Sequence, residues 1–97
     1  DKILRIANKF TPIEEYKTIA NADALVRKLT IVWGAKESLY KIYAHPGLSF
    51  LYHVDVKDFS FDDTETTAEI LFHGDITNYV IHFLEFEGFT CVYAIKG

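Results

Sequence analysis

Methionine is absent from this 97-residue chain, cysteine appears once and proline twice. The lone Cys91 cannot close an internal disulfide, so the fold must rest on its core, and a reduced cytosol is the natural setting. No apolar run approaches the ~18 residues of a membrane-spanning helix, and no charged-then-apolar signal segment opens the chain. The first residue is Asp1 rather than Met, which leaves room for a leader, a tag or a preceding domain. Glycine is sparse too. Gly34, Gly47, Gly74, Gly88 and Gly97 stand singly, so no glycine-rich strand–helix junction is available to cradle a nucleotide phosphate.

Basic charge is scarce in the second half. Residues 51–97 hold only Lys57 and Lys96 against nine Asp and Glu, a net charge of −7. Residues 1–50 hold eight Lys and Arg against five Asp and Glu, a net of +3. This split excludes the basic footprint that nucleic acids or an anionic membrane surface require. It suits a protein partner with a basic face, or it serves only to keep an aromatic-rich sheet in solution.

Aromatic rings are abundant: eight Phe, six Tyr and one Trp. Flat, rigid rings favour pleated surfaces, which points to β structure from Trp33 onward. Upstream, Ile3, Ile6, Ala7 and Phe10 recur at helical spacing, predicting a short helix over residues 2–10. Thr11-Pro12-Ile13-Glu14 reads as a capping box with proline at the first helical position, predicting a helix over 12–20. A further helical stretch then runs through Ala24, Leu25, Lys28 and Leu29. Strands are expected at Thr30–Trp33, Ser38–Ala44, Leu48–Val56, Thr66–His73, Ile76–Phe86 and Phe89–Lys96. The separators include Gly34-Ala35-Lys36-Glu37, His45-Pro46-Gly47, Gly74-Asp75 and Glu87-Gly88. The expected fold is a single α+β domain over residues 1–97: an N-terminal helical segment of one to three short helices, then an antiparallel β-meander of about five to six strands.

If Gly74-Asp75 and Glu87-Gly88 are two-residue loops, the last three strands acquire a register. One face then carries Ala68, Ile70, Phe72, Tyr79, Ile81, Phe83, Val92 and Ala94 and forms the core. The other mixes Glu69, Asn78, His73 and His82 with Leu71, Leu84, Phe86, Phe89, Cys91, Tyr93 and Ile95. It is the candidate for a partner, a dimer contact or a ligand cavity. Near residues 54–61, valines on even positions give way to phenylalanines on odd ones, so a bulge or a strand end is expected there.

Candidate chemistry is thin. His45, His53, His73 and His82 lack the close spacings of a metal site, so neither metal nor cofactor is implied. Glu69, His82, Cys91 and Tyr93 share a face, but while Tyr93 opposes His82, Glu69 and Cys91 lie on diagonals of about 7–8 Å, too long for a direct relay. No catalytic residue is therefore assigned, which weighs against an enzyme. The candidate partner-binding residues are Asp58, Asp62, Asp63, Glu65, Glu69, His82, Phe86, Phe89 and Tyr93. The reading these support is a non-enzymatic acidic binding module, a small inhibitor of the immunity, antitoxin-like or anti-defence kind, docking a basic face of another protein with no direct nucleic acid or membrane contact. Two alternatives stand beside it: a small-molecule-binding cup or small enzyme with a site near His82, Glu69 and Tyr93, and a homodimer that buries the mixed face.

Overall fold

A computed structural model describes residues 2–16, 18–43 and 46–97. The chain opens on a five-residue helix, α1 (Lys2–Ile6), which tightens into a 3₁₀ turn at Ala7–Lys9. A second 3₁₀ turn, Ile13–Tyr16, stands where a helix over 12–20 was expected; Lys17 lies outside the described residues. Asn21 then starts a new element. Its side-chain oxygen accepts the Ala24 N–H at 3.0 Å and its carbonyl accepts that of Leu25 at 3.0 Å, satisfying donors that a helix start otherwise leaves open.

The helix it caps, α2 (Ala22–Tyr43), runs for 22 residues, about 33 Å. It absorbs both the Thr30–Trp33 strand and the Ser38–Ala44 strand expected from sequence, together with the turn between them. Ala44 and His45 lie outside the described residues. The reason is visible in its buried face: Lys28, Leu29, Ile31, Val32, Ala35, Lys36 and Leu39. Their spacing is helical, but two of the seven are lysines, so the apolar stripe is broken in the sequence while remaining continuous in the fold. Tertiary burial overrides the strand preference of Thr30, Ile31 and Val32.

Four antiparallel strands follow in one sheet, in the order β1 (Val54–Val56), β2 (Glu65–Phe72), β3 (Asp75–Phe86) and β4 (Phe89–Lys96). The α+β class and the meander agree with the sequence reading, with fewer strands. Of Leu48–Val56 only the last three residues pair as a strand. In the preceding turn, Ser49 N–H donates to His53 Nδ1 at 2.7 Å and His53 N–H returns to the Ser49 carbonyl at 3.0 Å. Such local bonds compete with a ladder. β1 ends at Val56, and that strand end lets Val56 and Phe59 both bury despite their opposite parity.

Both hairpins close through an X-Gly pair with positive φ: His73 (53°) with Gly74 (83°), and Glu87 (46°) with Gly88 (81°). Two left-handed residues in succession make the turn whose twist matches the flanking strands, with glycine second. The first loop is thus His73-Gly74 rather than Gly74-Asp75, and Phe72 pairs with Asp75. The ladder shifts by two residues, an even number, so every side chain keeps its face. Ala68, Ile70, Phe72, Tyr79 and Ile81 are buried as expected, in one cluster with Ala35 and Leu39 of α2, and Phe83 is buried as well. A second cluster joins Ala7, Phe10 and Tyr16 to Leu29, Val32, Phe59 and Phe83, which fastens the N-terminal turns to one end of the layer.

Candidate active site

The exposed side of α2 carries a stripe as regular as the buried one. Thr30, Trp33, Gly34, Glu37, Ser38 and Lys41 fall on successive turns, and with Thr90 and Val92 of β4 they line a groove of about 310 Å³. Gly34 determines how closely helix and strand approach. A Cβ at that position would lie 3.0 Å from both Cβ and Cγ2 of Val92, so the seam is as tight as glycine permits. One turn on, the Ser38 hydroxyl donates to the Val92 carbonyl at 3.2 Å.

Glu37 and Lys41 are the charged residues of the groove lining, and both are exposed. Being four residues apart on a helix, their side chains project from the same face about one turn apart. Lys41 also sits in the last turn of α2, where the helix dipole favours a cation. A carboxylate able to accept a proton thus stands near an ammonium able to hold an anion, over an open groove.

The neighbouring lysine has a different task. Lys36 is 1% exposed, and its ammonium donates to the Phe10 carbonyl at 2.6 Å and the Phe50 carbonyl at 2.9 Å. It ties the N-terminal turns and the segment before β1 to the helix that presents Glu37. Trp33 completes this support through edge-to-face contacts with Phe10 and Phe50, at 5.1 and 5.5 Å between ring centroids. Beside its indole lies a mostly apolar cleft lined also by Ile6, Lys9, Phe10, Leu48 and Phe50.

Near the other end of α2, Arg27 holds Glu85 of β3 through two nitrogens, at 2.6 and 3.0 Å, with its guanidinium 4.0 Å over the Phe61 ring. The hydrogen bond from Arg27 holds the Glu85 carboxyl below its ordinary range, against a smaller opposing effect of burial. Lys28 likewise lowers Asp58 through a hydrogen bond, their closest approach being 2.9 Å. A carboxylate whose pKa falls on folding adds stability above its unfolded pKa and loses it as pH drops through the folded value. We therefore expect urea midpoints to decline from about pH 4.5 downward, and Glu85→Gln to shrink that decline. An unchanged profile in the variant would remove the ion pair from the account.

The residues singled out from sequence lie elsewhere. Asp62 and Asp63 form an exposed turn in which the Asp63 carboxylate accepts the Ser60 N–H at 2.8 Å. Asp58 is engaged by Lys28, whose ammonium also bonds the Phe59 carbonyl and sits 4.0 Å over the Phe59 ring. Glu65 pairs across the sheet with His82, which in turn pairs with Tyr93, the two rings stacked at 5.1 Å. Glu69 is drawn away from His82: it pairs with Asn78 and Asp55 and lies 3.5 Å from Lys57. Phe86 and Phe89 flank the last hairpin and are exposed. Among the described residues, no three His, Cys, Asp or Glu side chains converge as metal ligands, and no helix is long and apolar enough to cross a membrane.

Residues 1–94 match the family model of the 4'-phosphopantetheinyl transferase superfamily, and the chain belongs to that superfamily. No curated protein and no solved structure matches it significantly. Membership in a transferase superfamily overturns the reading of a non-enzymatic acidic inhibitor, and with it the immunity and antitoxin assignments. Gly34-Ala35-Lys36-Glu37, expected as a turn, lies inside α2, and this is what brings Glu37 and Lys41 onto one face. The signal that finds them is the 30, 33/34, 37/38, 41 spacing, which is meaningful only on a helix.

Proposed function

We propose that this domain transfers a 4'-phosphopantetheinyl group, and that the reaction takes place in the groove between α2 and β4. The observation that carries the proposal is the placement of Glu37 and Lys41 one turn apart in the groove lining of a chain from this superfamily. The transferred group is joined through its phosphate, so an acceptor hydroxyl attacks phosphorus, a new P–O bond forms, and the P–O bond to the donor's leaving group breaks. Lys41 holds the phosphate and offsets charge on its oxygens, while Glu37 takes the proton released by the acceptor hydroxyl. Ser38, hydrogen-bonded to the Val92 carbonyl, ties the helical wall of the groove to β4.

The test supplies a donor in which 4'-phosphopantetheine is activated through a diphosphate, together with an extract of host proteins as acceptors. Intact-mass and peptide spectrometry should find proteins heavier by one 4'-phosphopantetheinyl group. Lys41→Ala should slow the transfer by about 100-fold, the effect of removing one preorganised charge-stabilising group. Modification at an undiminished rate in Lys41→Ala would move the reaction away from this groove.

A further inference from the structure

The cleft beside the Trp33 indole is formed by two segments far apart in the sequence. Ile6, Lys9 and Phe10 come from the N-terminal turns, and Leu48 and Phe50 from the segment before β1. Its volume is about 390 Å³, within the range of small-molecule sites. Phe10 and Leu48 belong to the core, at 2% and 8% exposure. The walls are also held in place. Lys36 bonds the backbone carbonyls of Phe10 and Phe50, and the Trp33 ring meets both of their rings edge to face. Two aromatic walls pinned through one buried ammonium make a preformed site, so a ligand spends little on ordering it.

Lys9 is the single charged residue of the lining. It is exposed, so its stem covers apolar surface while its ammonium stays at the water side. Among the described residues no carboxylate pairs with it. Lys2 and Arg5 add positive charge on the same turns, and neither Asp nor Glu occurs from residue 2 to residue 13. The acidic residues of the second half contribute nothing to the lining. A neutral apolar ligand would leave the ammonium unused, and a cationic one would be repelled by it. The complement of this cleft is an apolar body with an anion at one end.

We propose that this cleft binds a medium-chain carboxylate, with its apolar body against Phe10, Trp33 and Phe50 and its carboxylate on the Lys9 ammonium. Burial of the chain supplies the affinity, and the charge-assisted contact fixes which end faces water. Trp33 lines the reaction groove too, so the occupant rests on a residue that the two sites share. The binding itself stands apart from the transfer reaction and is tested without it.

Trp33 is the chain's single tryptophan, so its fluorescence reports on the cleft directly. Titration with octanoate should change its emission along a saturable curve, and saturating octanoate should raise Tm. Octanol, the same body without the charge, should bind roughly three- to tenfold more weakly. Lys9→Gln should weaken octanoate by a similar factor, the worth of one charge-assisted contact at an open rim. Arg5→Gln removes an equal charge outside the lining and should leave the affinity within about twofold, since water and salt screen it. Both substitutions fall on exposed residues, so the fold should survive them. Ligand-observed saturation-transfer NMR repeats each titration independently of the indole. No saturable octanoate binding by either readout overturns the proposal. Equal affinity for octanol and octanoate overturns it too, as does an equal loss in Arg5→Gln and Lys9→Gln.

Discussion

Replacing Glu37 with glutamine should lower the transfer rate on the order of 10²- to 10⁴-fold, the range for removing a positioned general base. Glutamine preserves the size of the side chain and its reach into the groove, but its amide does not accept a proton from the acceptor hydroxyl. Because Glu37 is exposed, the substitution should leave the unfolding midpoint within about 0.5 kcal/mol of the parent, as is usual for a surface site. The loss should therefore fall on kcat, with donor binding little changed, since Lys41 remains to hold the phosphate. Single-turnover kinetics of the purified variant provide the check. A rate within threefold of the parent would mean that proton removal is performed elsewhere.

One position earlier, the largest effect on stability is expected. Lys36→Met keeps an unbranched chain of similar length but leaves the Phe10 and Phe50 carbonyls without the ammonium that now satisfies them. An unsatisfied buried acceptor costs about 1–3 kcal/mol, so a loss of roughly 2–4 kcal/mol is expected, partly offset by no longer burying a charge. For a domain of this size that corresponds to a fall in Tm on the order of 10–20 °C. Calorimetry on Lys36→Met beside Lys41→Met separates the two lysines: the first should melt early, the second should melt normally. Equal melting of both would show that the buried ammonium contributes nothing net.

The pair also explains how far the sequence could be read. The meander from Glu65 to Lys96 was legible because its strands alternate cleanly and its hairpins are short. Even the misplaced first loop did no harm to the core, since a two-residue slip preserves parity. Glycine belongs at the second of two left-handed positions, and that places the loop at His73-Gly74. The helix α2 was illegible for a physical reason. Lys28 and Lys36 are buried through backbone carbonyls, and Lys28 through aromatic rings as well. No hydropathy pattern anticipates a lysine in a core. Gly34 added to the difficulty, since a glycine between β-branched runs suggests a turn, whereas here it admits the side chain of Val92. With the helix hidden, the stripe bearing Glu37 and Lys41 is hidden too, and of the acidic residues that stand out instead Asp58 is engaged by Lys28, Asp63 by Ser60 and Glu69 by Lys57.

The seam at Gly34 has a consequence for how such a site can diversify. Lys36 and Glu37 are adjacent on one uninterrupted helix, so the buried anchor and the carboxylate proposed as the base share a single rigid body. Reaiming Glu37 by moving α2 would drag Lys36 from both carbonyls and press the helix backbone into Val92. The helical wall of the groove is therefore the conservative one. Changes in what the groove accepts are more cheaply made in the opposite wall, where Thr90 is an exposed residue of β4 that lines it.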